Sequence, residues 1–337
     1  MLLTVSKRLE FSASRRLFVS RWTSDENLAA FGAETNARYG TGRNYIAYFI
    51  FSGRVDPVTG MLINISEIKR RAGQVVDDRF DHKFLNEDNP AFRELPPTAE
   101  NIARQLFADV APLFADVDAK LVACHLIETP DRSATFYAGG ECEANYWFEF
   151  SAARQTMSPR LTPAENERVF GAAAALHGHN YRARLTFRKE KADRPIVQQQ
   201  DLDACIDPLR QELDHRHLNE DVPGLKDRPI TTEGLAAYIR ERVAAQFQFI
   251  ESVCTNAQIS SLKLGLTGTY FSERRCVLAL PIDCTFHRFP MKKTRPCLGN
   301  ATTRAGTAIF IWLKRRLAEI TMNEAELFTI SLHFEKR

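Results

Sequence analysis

A chain of 337 residues has room for two or three domains, each with its own core, and 44% hydrophobic with 26% charged residues is the balance of a soluble globular protein. A net charge of +3 supplies no basic field for nucleic acid or a membrane surface. Seven cysteines without a C-x-x-C pair or disulfide-like spacing favour a reducing, cytoplasmic compartment, and early charges at the N-terminus argue against a signal peptide or a transmembrane helix.

The first predicted element is a strand carrying Phe11-Ser12-Ala13-Ser14-Arg15. A polar loop follows, then a second strand over residues 45–51, and Asp56-Pro57-Val58-Thr59-Gly60 supplies turn chemistry. A helix is expected ahead of Asp81-His82, and another from near Thr98, whose hydroxyl can cap it. Ile102, Leu106 and Val110 give that helix one buried face. Residues 120–128 read as a strand, with a short strand near Phe136-Tyr137.

The pattern then starts again. Phe150-Ser151-Ala152-Ala153-Arg154 repeats the first motif 139 residues later, and Asp214-His215 repeats Asp81-His82 at an offset of 133. Asn44-Tyr45 returns as Asn180-Tyr181. The strand over 181–187 alternates polar and apolar residues, as a half-buried antiparallel strand does. A helix over 202–213, a helix from Thr232 capped by Thr231 with Ala236, Ile239 and Val243 on one face, and a strand over 261–266 complete the second copy. Order preserved with a slowly drifting offset means two domains of one fold, residues 1–142 and 143–290. The tail, 291–337, matches neither copy; its apolar run, 308–313, is far too short to span a bilayer, and it could cover a sheet, form a partner helix or be poorly ordered.

The chemistry centres on His177-Gly178-His179. Two histidines two apart on a strand share a face, so both imidazoles can reach one metal ion. The first copy has Thr41 and Arg43 at those places. Each Asp-His pair can fix a histidine tautomer and raise its basicity, or can serve as a capped turn with a packed ring.

Taken together, the Phe-Ser-Ala strand, His-Gly-His-Asn-Tyr, Asp-Pro-x-Thr-Gly-Met, Asp-His-x-x-Leu-Asn, Pro-Thr-x-Glu-Asn and Glu-Thr-Pro resemble the 6-pyruvoyltetrahydropterin synthase family. That family includes the 6-carboxytetrahydropterin synthases of queuosine biosynthesis. The resemblance covers residues 9–274. It implies an α+β fold of two tandem T-fold repeats, each an antiparallel sheet with two helices on one face, whose subunits assemble into barrels as a homo-oligomer. It also implies zinc held by three histidines, a cysteine working with an Asp-His pair, a glutamate anchoring the pterin, and 7,8-dihydroneopterin triphosphate as substrate, with no role for nucleic acid or a membrane.

Carried over residue by residue, the resemblance places the first zinc histidine at Arg15 and Arg154, neither of which has a lone pair for a metal. His177 and His179 keep the other two ligands in the second repeat, so zinc there needs a third ligand from elsewhere. The cysteine position falls at Ala173, and near Glu34 or Thr35 in the first repeat. Asp81, His82, Asp214 and His215 are the catalytic candidates. Glu128 is the pterin anchor, absent from the second repeat, where Leu266-Thr267-Gly268 aligns; Thr98 and Thr231 stand beside the substrate site. Two readings remain open. In one, Glu128 and His177/His179 form a composite site across a repeat interface, a lyase giving the 6-carboxy or 6-pyruvoyl product. In the other, both sites have decayed to a non-catalytic pterin-binding or assembly role.

Overall fold

The computed structural model describes the backbone of residues 2–189, 195–247, 254–264, 270–272, 276–277 and 330–333, and side chains within residues 2–188 and 195–247. The first repeat runs β1 (Leu2–Arg15), α1 (Ser24–Phe31), β2 (Thr41–Gly53), α2 (Ile65–Arg79), β3 (Lys83–Phe84), α3 (Leu85–Asp88), α4 (Ala99–Val110), β4 (Lys120–Thr129) and β5 (Arg132–Tyr137). The second runs β6 (Cys142–Arg154), α5 (Pro163–Phe170), β7 (His177–Lys189), α6 (Gln199–Leu213), β8 (Arg216–His217), α7 (Thr232–Phe247) and β9 (Cys254–Leu264), with the short strands β10 (Tyr270–Ser272) and β11 (Cys276–Val277). Late in the chain, β12 (Ile330–His333) pairs antiparallel with the start of β1, so part of the tail extends the sheet. The apolar run at 308–313 lies outside the described residues.

One sheet carries both repeats, in the order β10-β9-β7-β6-β5-β4-β2-β1-β12. β5 and β6 join the copies, with Ala134 opposite Ala144. Each copy keeps its own core on the helix side: α4 buries Ile102, Leu106 and Val110, and α7 buries Ala236, Ile239 and Val243. Burial of one such aliphatic side chain contributes about 1.5–3 kcal/mol. The duplication extends to ring geometry. Phe11 pairs with Tyr45 and Phe150 with Tyr181, and both pairs stack, at 4.9 Å and 5.0 Å.

The expected polar loop after the first strand of each repeat contains a helix instead. Thr23 and Thr162 each bond the backbone N–H three residues on, while Glu26 and Glu165 reach back to the threonine N–H. This capping box starts an eight-residue helix that buries too few apolar residues to show a helical period. Thr98 and Thr231 do cap α4 and α7, accepting from Asn101 N at 3.3 Å and Gly234 N at 3.0 Å. The last strand of the second repeat starts earlier than residue 261: β9 begins at Cys254 and ends at Leu264.

Candidate active site

In the first repeat the strand ends and one loop bring four charges together. Arg15 ends β1, Arg43 lies near the start of β2, Glu34 sits in the 3-10 turn Gly32–Asn36, and Glu128 lies near the end of β4. The Arg15 guanidinium, 1% exposed, donates Nη1 to Glu34 Oε2 at 2.6 Å, Nη2 to Glu128, and Nε to the Tyr45 hydroxyl at 3.1 Å. Arg43 Nη2 meets Glu34 Oε1 at 2.5 Å. Two cations and two carboxylates thus close a charge-balanced network. Burial raises the Glu34 pKa, but Arg15, by its charge and its hydrogen bond, and then Arg43 outweigh it and hold the carboxyl below the usual range. Glu34 and Tyr45 were not among the sequence candidates. The signal was present: two arginines at positions that the resemblance gives to histidines call for carboxylates, and Glu34 is near the cysteine position.

The second repeat keeps the arginine and loses the carboxylates. Arg154 stands directly opposite His177 across the β6–β7 ladder, and Ala152 stands opposite His179. Antiparallel partners share a face, so Arg154, His177, His179 and Tyr181 lie on one side of the sheet. The His177 and His179 rings are 5.0 Å apart, and His179 contacts Tyr181 at 5.6 Å. His177 Nδ1 lies 2.7 Å from the Ala175 carbonyl. Arg154 is buried over the Tyr181 ring at 5.7 Å, with Nη2 at 3.5 Å from Thr232 Oγ1. Its Nε and Nη1, like the Tyr181 hydroxyl, have no hydrogen-bond partner among the described residues. Burial pushes the Tyr181 phenol up to about 12.

These donor sets do not fit the family's three-histidine zinc. Thr41, Arg43 and Arg15 offer one hydroxyl and two guanidinium groups. The second repeat offers two imidazoles beside a guanidinium that cannot ligate and repels a cation. Among the described residues no three His, Cys, Asp or Glu side chains are grouped to hold a metal.

The two Asp-His pairs are built alike. Asp81 Oδ1 accepts the Ser12 N–H at 2.8 Å and Asp214 Oδ1 the Ser151 N–H at 2.7 Å. The other carboxylate oxygens lie 2.6 Å and 2.8 Å from Nδ1 of His82 and His215. The backbone N–H groups, more than the histidines, hold both carboxyls below the usual carboxylate range. His82 (φ 53°) and His215 (φ 57°) are the only non-glycine residues with positive φ among the described residues, and their rings are 84% and 83% exposed. Each lines an open groove, His82 with Ser12, Gly42 and Asn44, and His215 with Ser151, Gly178 and Asn180.

The composite site expected between Glu128 and the paired histidines is not formed within one chain. Ile127, next to Glu128, pairs with Ser133, Ser133 with Asn145, and Asn145 with Thr186. His179 and His177 lie seven and nine residues further along β7, roughly 23–30 Å at ~3.3 Å per residue. Glu128 serves Arg15 of its own repeat instead. Leu266, Thr267 and Gly268, where the expected counterpart of Glu128 falls in the second repeat, lie outside the described residues.

Thr98 and Glu128 line a narrow cavity at the junction, covered by Pro195, Val197 and Gln199 of the second repeat. The Ile196 N–H donates to Glu100 at 3.3 Å across it. No thiol replaces the missing cysteine among the described side chains: Cys124, Cys142 and Cys205 are buried, and burial raises all three, Cys205 to about 11.

A sheet that is antiparallel except for the short strands β3 and β8, which pair parallel with β1 and β6, built twice with helices packed on it, is the T-fold arrangement. The sequence model of 6-pyruvoyl tetrahydropterin synthase matches residues 4–139 and again residues 144–263, and the chain belongs to that family. It is 38% identical over 99 residues to the Homo sapiens 6-pyruvoyl tetrahydrobiopterin synthase, covering 29% of this chain and 68% of the human protein. The Poecilia reticulata enzyme of the same name is 35% identical over 135 residues, 40% of this chain and 89% of its own. The solved Caenorhabditis elegans 6-pyruvoyl tetrahydropterin synthase overlays with TM-score 0.38 at 28% identity, covering 41% of this chain and 96% of that one.

Proposed function

We propose that the chain carries out pterin-synthase chemistry, acting on 7,8-dihydroneopterin triphosphate to give a 6-pyruvoyl or 6-carboxy tetrahydropterin, with the working site in the second repeat. The observation that carries this reading is the strain at His82 and His215. A non-glycine residue at positive φ costs free energy, and such outliers collect at functional sites. Both copies hold theirs with the same three hydrogen-bonding groups and leave the ring open.

In each pair the carboxylate accepts Nδ1–H, which leaves Nε2 to take or return a proton. The first repeat's pocket is closed by its own ion pairs, which favours the second as the working copy. Exposed catalytic turns also fit a homo-oligomer, in which another copy covers them. No helix among the described residues is long and apolar enough to cross a membrane. This reading takes the protein to act in the cytoplasm, without nucleic acid.

The test is conversion of 7,8-dihydroneopterin triphosphate, followed by chromatography, which also separates the two products. Wild type converts it, and Asp214→Asn slows turnover by about 10²-fold or more. Ala173 and the Arg15–Glu128 pair favour a second reading, a pterin-binding or assembly protein. Saturable pterin binding with no conversion by the wild type would establish it.

A further inference from the structure

We propose that the second repeat's former metal pocket is a receptor for an oxyanion, a carboxylate or phosphate group held by Arg154 beside His177 and His179. Arg154 is 7% exposed, and two of its three nitrogens, Nε and Nη1, have no partner among the described residues. The third has only a 3.5 Å contact with a hydroxyl. A buried guanidinium needs acceptors for its N–H groups, and a ring face below it supplies none in their plane.

The first repeat shows what such an arginine takes. Arg15, at the equivalent place, is held by Glu34 and Glu128. In the second repeat the residue 139 positions after Glu34 is Ala173, and Leu266-Thr267-Gly268 stands in the sequence where the first repeat has Glu128-Thr129-Pro130. Neither of those positions holds a carboxylate, while the cation stays. An incoming oxyanion restores the charge balance and the forked acceptor geometry that the two glutamates provide in the first copy. His177, directly across the ladder, and His179, 5.0 Å from it, stand beside that place. The inference deepens the assignment of the working site to the second repeat, and it replaces the metal's positive charge with a fixed one.

The oxyanion is either a free ligand group or a carboxylate of a second copy of the chain. Isothermal titration of the full chain with inorganic phosphate, and separately with zinc chloride, is the experiment, with sedimentation in phosphate-free buffer alongside. Turnover plays no part in it, so failure here is distinct from failure of the catalytic reading. Phosphate binds the wild type, and Arg154→Met weakens it at least tenfold. Arg154→His gains one tight zinc per chain and loses the phosphate. If phosphate does not bind but the wild type self-associates, and Arg154→Met weakens that association at least tenfold, the oxyanion is a carboxylate of the second copy. One tight zinc in the wild type, lost in His177→Ala, overturns the proposal without requiring any Arg154 variant to fold. So does a folded Arg154→Met that changes neither phosphate affinity nor self-association.

Discussion

Arg15 and Arg154 occupy the same place in two copies of one fold, and their surroundings have diverged. Arg15 sits inside a closed network in which Glu34, Glu128 and Tyr45 satisfy its nitrogens. Arg154 ends the equivalent strand and lies over the equivalent tyrosine, Tyr181, but has alanine where Glu34 would be and two nitrogens without acceptors among the described residues. The same residue type at the same place is therefore held in an ion cluster in one copy, and in the other leaves two nitrogens without acceptors among the described residues.

The comparison makes graded predictions. The largest effect is at Glu128: alanine leaves Arg15 buried with a missing counter-charge, and urea unfolding should show a loss of about 3–5 kcal/mol. Next is Asp214→Asn, which removes the carboxylate that accepts both Ser151 N–H and His215 Nδ1. A loss of about 1–3 kcal/mol is expected, and a smaller change would mean the turn does not depend on the charge.

Glu34 gives a pH test. Its carboxyl is held low in the folded state, so its contribution is fully present above the unfolded value of about 4.3 and is lost as pH falls through the lower folded value. Melting temperature measured from pH 6 to pH 3 should fall less steeply in Glu34→Gln; equal slopes would remove Glu34 from the network. The smallest effect belongs to His177→Ala, within about 0.5 kcal/mol in metal-free, phosphate-free buffer, since it gives up a contact with the Ala175 carbonyl and a ring contact with His179.

Much of this fold was legible because the chain states it twice. Phe11, Tyr45, Phe150 and Tyr181 appear at repeated spacing, and their stacking pairs follow from it. The Asp-His turns were readable as residues, but the strain at His82 and His215 was not, because φ is set by the hydrogen bonds to Ser12 and Ser151. Helices α1 and α5 were announced by Thr23 with Glu26 and by Thr162 with Glu165, and were missed because eight residues carry no clear apolar period. The separation of Glu128 from His177 and His179 was hidden for a different reason. It depends on the pairing of β5 with β6, which fixes how one repeat's strands lie against the other's.

The most direct test of the central claim is a paired measurement of unfolding free energy for Arg15→Met and Arg154→Met in phosphate-free buffer. The account predicts opposite outcomes. Arg15→Met loses about 3–5 kcal/mol, because the buried Glu128 loses its main counter-charge and Glu34 keeps only Arg43. Arg154→Met is neutral or gains up to about 2 kcal/mol, because an unpaired buried donor group is replaced by an apolar one of similar length. Equal losses in both variants would contradict it, and would mean that Arg154 is as fully partnered as Arg15.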